Sequence, residues 1–160
     1  MSGQEMQWRQ VERAEGTDTL HYTSCGLPNI YLAGGFTRHK TNYGDGVSIV
    51  NVEGLHRAIG ESLLCSEKSL SGPEVRFLRK EMKHTQESLA DFLKIGVQQV
   101  ARWEKEECSI PGPADILVRA LFKQCLGKQP NVKKISEQLH QATQHPASKP
   151  VFFEQMLEAA

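Results

Sequence analysis

Between Ser71 and Gly127, apolar residues recur at helical spacing in four successive runs: Val75, Leu78 and Met82; Leu89, Ala90 and Leu93; Val100 and Trp103; and Ile116, Leu117, Ala120, Leu121 and Leu126. Local signals punctuate them. Ser71-Gly-Pro-Glu74 has the form of a capping box, in which Ser71 caps the helix and Glu74 reaches back. Thr85 is a good N-cap for the second run. The prolines and glycine of the segment Glu104–Pro113, EKEECSIPGP, predict a loop, and Gly127 is a C-terminal stop. The pattern predicts four helices forming a small all-α domain over residues 70–127. Its middle, Thr85–Glu104 (TQESLADFLKIGVQQVARWE), predicts two short helices joined by a tight turn, with Ile95 plugging the turn and Gly96 allowing the entry into the second helix.

Upstream the pattern changes. From His21 onward the chain is aromatic and β-branched, with turn residues at intervals. Asn29–Leu32 and Phe36–Lys40 predict strands separated by a Gly34-Gly35 turn; Tyr43-Gly-Asp-Gly46 predicts a further turn before a strand at Val47–Val52. Glu53–Leu64 predicts a helix with Leu55, Ile59 and Leu63 on one face. These elements predict a small antiparallel sheet and a helix over residues 21–66. Residues 1–20 are polar and are expected to form a flexible N-terminus. Residues 130–160 are expected to form a helical tail: Pro130 breaks the chain, and Asn131 caps a helix striped by Val132, Ile135, Leu139 and Ala142. After a linker, His145–Pro150, comes a short apolar end at Val151–Leu157, whose Phe152, Phe153, Met156 and Leu157 suit docking to a partner. The fold class expected is α+β, a sheet followed by a helix-turn-helix domain.

Composition changes this picture only at its edges. The 160 residues carry 19 Lys and Arg against 19 Asp and Glu, a net charge of zero that argues against indiscriminate coating of nucleic acid. The charge is unevenly placed, because Arg76, Arg79, Lys80 and Lys83 make the first helix of the helical domain basic. With no apolar run of membrane-spanning length and no leader-like start, a cytoplasmic protein without a membrane partner is expected. Cys25, Cys65, Cys108 and Cys125 are scattered and suggest no disulfide framework.

Val97, Gln98, Gln99 and Arg102 remain outward once Val100 and Trp103 are assigned to the core. Glutamine forms a bidentate pair with adenine, the arginine fork matches guanine O6 and N7, and a valine suits a thymine methyl. The competing reading is an ordinary solvated face. Gln86 lies in the first turn of the preceding helix, where backbone amides favour a phosphate, and Lys83 and Lys94 are the cations expected to join it on phosphates.

The run Q-x-x-L-A-x-x-L, an isoleucine three residues after Phe92, and V-x-R-W-E resemble the lambda-repressor-like (Xre-type) helix-turn-helix. That resemblance implies double-stranded operator DNA as partner, a homodimer, repression of transcription, and a structural ion pair between Arg79 and Glu104. The family usually has glycine after its second helix and often after the Glu that follows Trp, where Lys94 and Glu106 stand here. The order of elements from residue 22 to 127, with its Cys-Gly-Leu turn, is also similar to the MqsA-type antitoxins. That likeness implies an alternative function, binding a toxin protein through the N-terminal domain while regulating the shared operon. The two Cys-x-x-Cys zinc pairs of that family are missing: Tyr22-Thr-Ser-Cys25 and His56–Gly60 stand in their place. No metal and no other cofactor is therefore expected, with Tyr22, Leu27, Tyr31 and Phe36 packing where ligands would be. Catalysis is not expected either. Cys25 with His21, or His39 with Asp45, are the only pairs to consider, and neither sits in a nucleophile or phosphate motif.

Overall fold

The computed structural model describes residues 6–12, 18–139 and 150–157. Within them the chain runs through β1 (Met6–Val11), β2 (Leu20–His21), β3 (Ile30–Leu32), β4 (Phe36–Thr41), β5 (Gly44–Ile49), α1 (Val52–Leu64), α2 (Gly72–Glu81), α3 (Gln86–Leu93), α4 (Val97–Glu104), α5 (Gly112–Cys125), α6 (Val132–Leu139) and β6 (Val151–Leu157). The fold is α+β, and it divides into two compact units with the boundary inside α1, at Ile59 and Gly60. One unit holds β1 to β5, the start of α1, and β6; the other holds the remainder of α1 through α6.

The first unit departs from the expected antiparallel sheet. Its main sheet has the order β1-β6-β3-β2, and β4 pairs only with β5 in a separate two-stranded ribbon. β6 lies between β1 and β3, antiparallel to β1 (Met6↔Leu157 through Val11↔Phe152) and parallel to β3 (Ile30↔Val151 through Leu32↔Phe153). Two expectations are thereby corrected. The segment Met6–Val11 is a strand and not part of a flexible N-terminus, and Val151–Leu157 is a core strand and not the end of a helical tail. The physical reasons are two aromatic side chains. Phe153 is fully buried, and Trp8 is buried with its indole N–H donating to Asn51 O at 3.0 Å. The expected helix is present over Val132–Leu139, with Asn131 Oδ1 accepting from Lys134 N at 3.0 Å, Ile135 buried and Val132 exposed; Ala142 and the linker as far as Lys149 lie outside the described residues.

The ribbon is also displaced from its expected register. Its second strand begins at Gly44, so the turn is Asn42-Tyr43, and Val50 to Val52 leave the strand for the start of α1. Thr41 fixes that turn, donating from Oγ1 to Gly44 O at 2.6 Å and accepting from Tyr43 N at 3.3 Å. At the root, Gly35 has a φ of +76°, and a Cβ there would stand 2.6 Å from the Trp8 ring. Only glycine fits both constraints.

In the second unit, α2 to α5 are the four expected helices, and the unit also takes in the end of α1 and α6. The capping box is present, with Ser71 N donating to Glu74 Oε2 at 3.0 Å and Glu74 N to Ser71 Oγ at 3.4 Å. A feature the periodicity did not reveal is Arg119, which is fully buried. It pairs with Asp115 at 2.5 Å and donates to the carbonyls of Leu63, Ser66 and Lys68, while Asp115 Oδ2 accepts from Leu70 N at 2.8 Å. One guanidinium thus satisfies three carbonyls at the end of α1 and in the segment that leads to α2.

Candidate nucleic-acid interface

The candidate surface is built on α3, a turn at Lys94–Gly96, and α4. Thr85 caps α3, its hydroxyl accepting from Ser88 N at 3.0 Å. At the other end Lys94 takes a left-handed conformation, φ +58°, and Ile95 N reaches back to Ala90 O at 3.0 Å. This is the backbone geometry that glycine usually serves. The expectation about Gly96 is corrected accordingly. Gly96 has an ordinary φ of −72° and is the N-cap of α4 without a side-chain hydrogen bond, so the left-handed turn falls on Lys94 instead. Glu106 closes α4 in the same way, φ +59°, with Glu107 N on Arg102 O at 3.0 Å; Lys83 closes α2 with φ +61° and His84 N on Arg79 O at 3.1 Å. A left-handed non-glycine residue costs about 1–2 kcal/mol. The sequence has spent charged residues at three positions where the backbone favours glycine.

The two faces of α4 separate cleanly. Val100 and Trp103 are buried, whereas Val97, Gln98, Gln99 and Arg102 are exposed. The orientation of α4 is fixed from two directions. Gly72, the first residue of α2, is buried where a Cβ would meet Trp103 O at 2.5 Å and Glu104 O at 2.8 Å, so α2 starts against the C-terminal end of α4 with no room for a side chain. Below α4, Arg79 donates from Nε to Glu104 Oε1 at 2.5 Å, from Nη2 to Glu104 Oε2 at 3.2 Å, and from Nη1 to His84 O at 2.9 Å. The pair is largely out of water, with side-chain exposures of 11% and 5%. Arg79 and Glu104 thus form an ion pair between α2 and α4.

Gln86 belongs to that pair. Its Nε2 donates to Glu104 Oε2 at 2.7 Å, which turns the amide inward and ties the start of α3 to the end of α4. The expectation that it sits with Lys83 and Lys94 as an outward phosphate contact is corrected to that extent. Lys83 and Lys94 are exposed, as are Arg76 and Lys80 on α2. Lys94 Nζ lies 3.9 Å from Asp91, an ion pair in full solvent that holds the ammonium only weakly.

The first unit does not bring the considered catalytic pairs together. His21 Nε2 is 2.7 Å from Pro28 O and its ring stacks on Tyr31, while Cys25 Sγ is directed to Tyr22 O at 3.8 Å. His39 hydrogen-bonds Ser48 Oγ, and Asp45 lies opposite Lys40 on the other face of the ribbon. Among the described residues no group of three or more His, Cys, Asp or Glu side chains converges as metal ligands would. Tyr22 and Leu27 are buried, with the Tyr22 hydroxyl 2.7 Å from His56 Nε2. Tyr31 and Phe36 are half-buried, and Tyr31 stacks on Phe152 at 5.3 Å. The docking segment expected at Phe152 and Phe153 is therefore used within the sheet. No described helix is long and apolar enough to cross a membrane. Comparison of the chain with family models, curated proteins and solved structures gives no match.

Proposed function

We propose that the chain is a sequence-specific regulator of transcription that binds duplex DNA as a homodimer and represses by occluding a promoter. One observation carries this reading: a short helix whose inner face is locked by Val100, Trp103 and the Arg79–Glu104–Gln86 network keeps Val97, Gln98, Gln99 and Arg102 together in solvent. A rigid helix with amides and a guanidinium on its free face suits the major groove, whose base edges offer bidentate partners to both groups. Lys83 and Lys94 stand at the ends of the neighbouring helices as phosphate contacts, which fix register without reading sequence. Two such helices related by a twofold axis would occupy half-sites about 34 Å apart.

The test is a binding selection on random duplexes, repeated across a salt series. Enrichment of a palindromic site is expected. Arg102→Ala or Gln98→Ala should lose about 1–3 kcal/mol on that site and relax specificity at one base pair per half-site. Equal weakening on every duplex would move the altered residue to the backbone contacts. Failure of the unaltered protein to prefer any duplex would end the proposal.

A further inference from the structure

The β4–β5 ribbon has no role in the reading above. Every residue from Thr37 to Asp45 is exposed. Because side chains alternate across a strand, exposure from Thr37 to Thr41 means that no described residue covers either face of β4 over that stretch. The ribbon is nevertheless held firmly at its base. Trp8 Nε1 donates to Val50 O at 3.2 Å and to Asn51 O at 3.0 Å, Gln155 Nε2 donates to Val50 O at 2.6 Å, and Val50 N donates to Gly35 O at 3.2 Å. β1 and β6 thus clamp the root of an arm whose outer part stands in water.

The arm's chemistry is not that of a protein-docking surface. Arg38, Lys40, Asp45 and Val47 share one face; Thr37, His39, Thr41, Gly46 and Ser48 share the other. A stable protein interface has an apolar centre ringed by polar groups, whereas here Val47 is the single apolar side chain at the centre of either face, flanked by Arg38 and Lys40, and the apolar pair, Phe36 and Ile49, is at the root. Arg38, His39 and Lys40 are consecutive, so cationic or donor groups lie on both faces, and Asp45 is the one carboxylate between residues 36 and 49. Arg38 is engaged by Asp18 at 3.2 Å, a pair with side-chain exposures of 51% and 70%. So exposed a pair is easily exchanged for a phosphate. At the tip, Tyr43 is fully exposed.

We infer that this ribbon is a second duplex-DNA contact, with Arg38 and Lys40 on phosphates and the Tyr43 tip directed into a groove. The major groove admits a two-stranded β-ribbon as readily as a helix. This rests on the reading of α4 as a duplex-binding helix, and its test separates the two. The full chain is titrated with a mixed-sequence duplex across about 50 to 200 mM salt. Arg38→Gln combined with Lys40→Gln should weaken binding and lower the slope of log K against log salt by about 1.8, two phosphates at about 0.9 each. Asp45→Asn should tighten binding, a gain that loss of fold cannot imitate. A photo-cross-linking residue substituted for Tyr43 should attach to a DNA strand. An unchanged slope in the double variant, with Arg102→Ala still losing affinity on the selected palindromic site, overturns the ribbon contact and leaves the helix reading intact. So does attachment of the cross-linker to a partner protein alone. If the unaltered chain binds no duplex, both readings fall together.

Discussion

Replacing Glu104 by alanine is the sharpest test of how the candidate surface is held. Glu104 accepts three hydrogen bonds, two from Arg79 and one from Gln86, at 2.5, 3.2 and 2.7 Å. At about 1.5–3 kcal/mol for a hydrogen bond to a charged group, these would sum to about 4.5–9 kcal/mol. The carboxylate recovers its hydration when unfolded, which offsets part of that sum. The larger surviving cost is Arg79, only 9% exposed and left without its counter-charge. Breaking such a pair from one side costs about 3–5 kcal/mol. A small domain has about 5–15 kcal/mol in all, so the variant should be marginal. The assay is urea denaturation followed by far-UV circular dichroism and by the fluorescence of buried Trp103, in a Trp8→Phe background so that Trp103 reports alone. The midpoint should fall at constant m-value. Arg79→Met with Glu104→Met should cost less than the two single changes added together, because both charges leave at once. A Glu104→Ala cost within about 0.5 kcal/mol of zero, the range of an ordinary surface change, would refute the reasoning. So would strict additivity in the cycle.

Arg119→Met should cost about 3–5 kcal/mol in the same denaturation assay, since it leaves Asp115 buried without its cation and the carbonyls of Leu63, Ser66 and Lys68 without their donor. Gly72→Ala should destabilise the helical unit by about 1–3 kcal/mol as an overpacking change, and Trp103 fluorescence should shift because the added methyl meets the Trp103 carbonyl. Lys83→Gly should raise stability by about 0.5 kcal/mol, the left-handed cost relieved less the entropy of glycine, while weakening duplex binding through the lost cation. Removing residues 150–160 should abolish the burial of Trp8, seen as a red-shifted emission in a Trp103→Phe background, because β6 is interior to its sheet. A blue, unshifted Trp8 emission would contradict the strand order.

Much of the helical unit was legible along the chain because its determinants are local. The Ser71–Glu74 box, the Thr85 cap, the Asn131 cap and the spacing of Val75 and Leu78 each act within one or two turns, and each recurs in the structure. The outward set on α4 follows from the same periodicity, since fixing Val100 and Trp103 inside leaves Gln98, Gln99 and Arg102 outside. What tertiary structure alone decided depended on partners distant in sequence. Nothing in the periodicity marks Asp115 and Arg119 as buried; a segment some fifty positions away supplies the carbonyls that receive the guanidinium. Gln86 reads as an outward amide until Glu104 turns it inward. Met6–Val11 carries too few apolar residues to declare itself a strand, and Val151–Leu157 looks like a loose apolar end. Each becomes a strand because a β-strand makes its backbone hydrogen bonds only with neighbouring strands, and the neighbour that pairs the two is here at the opposite end of the chain.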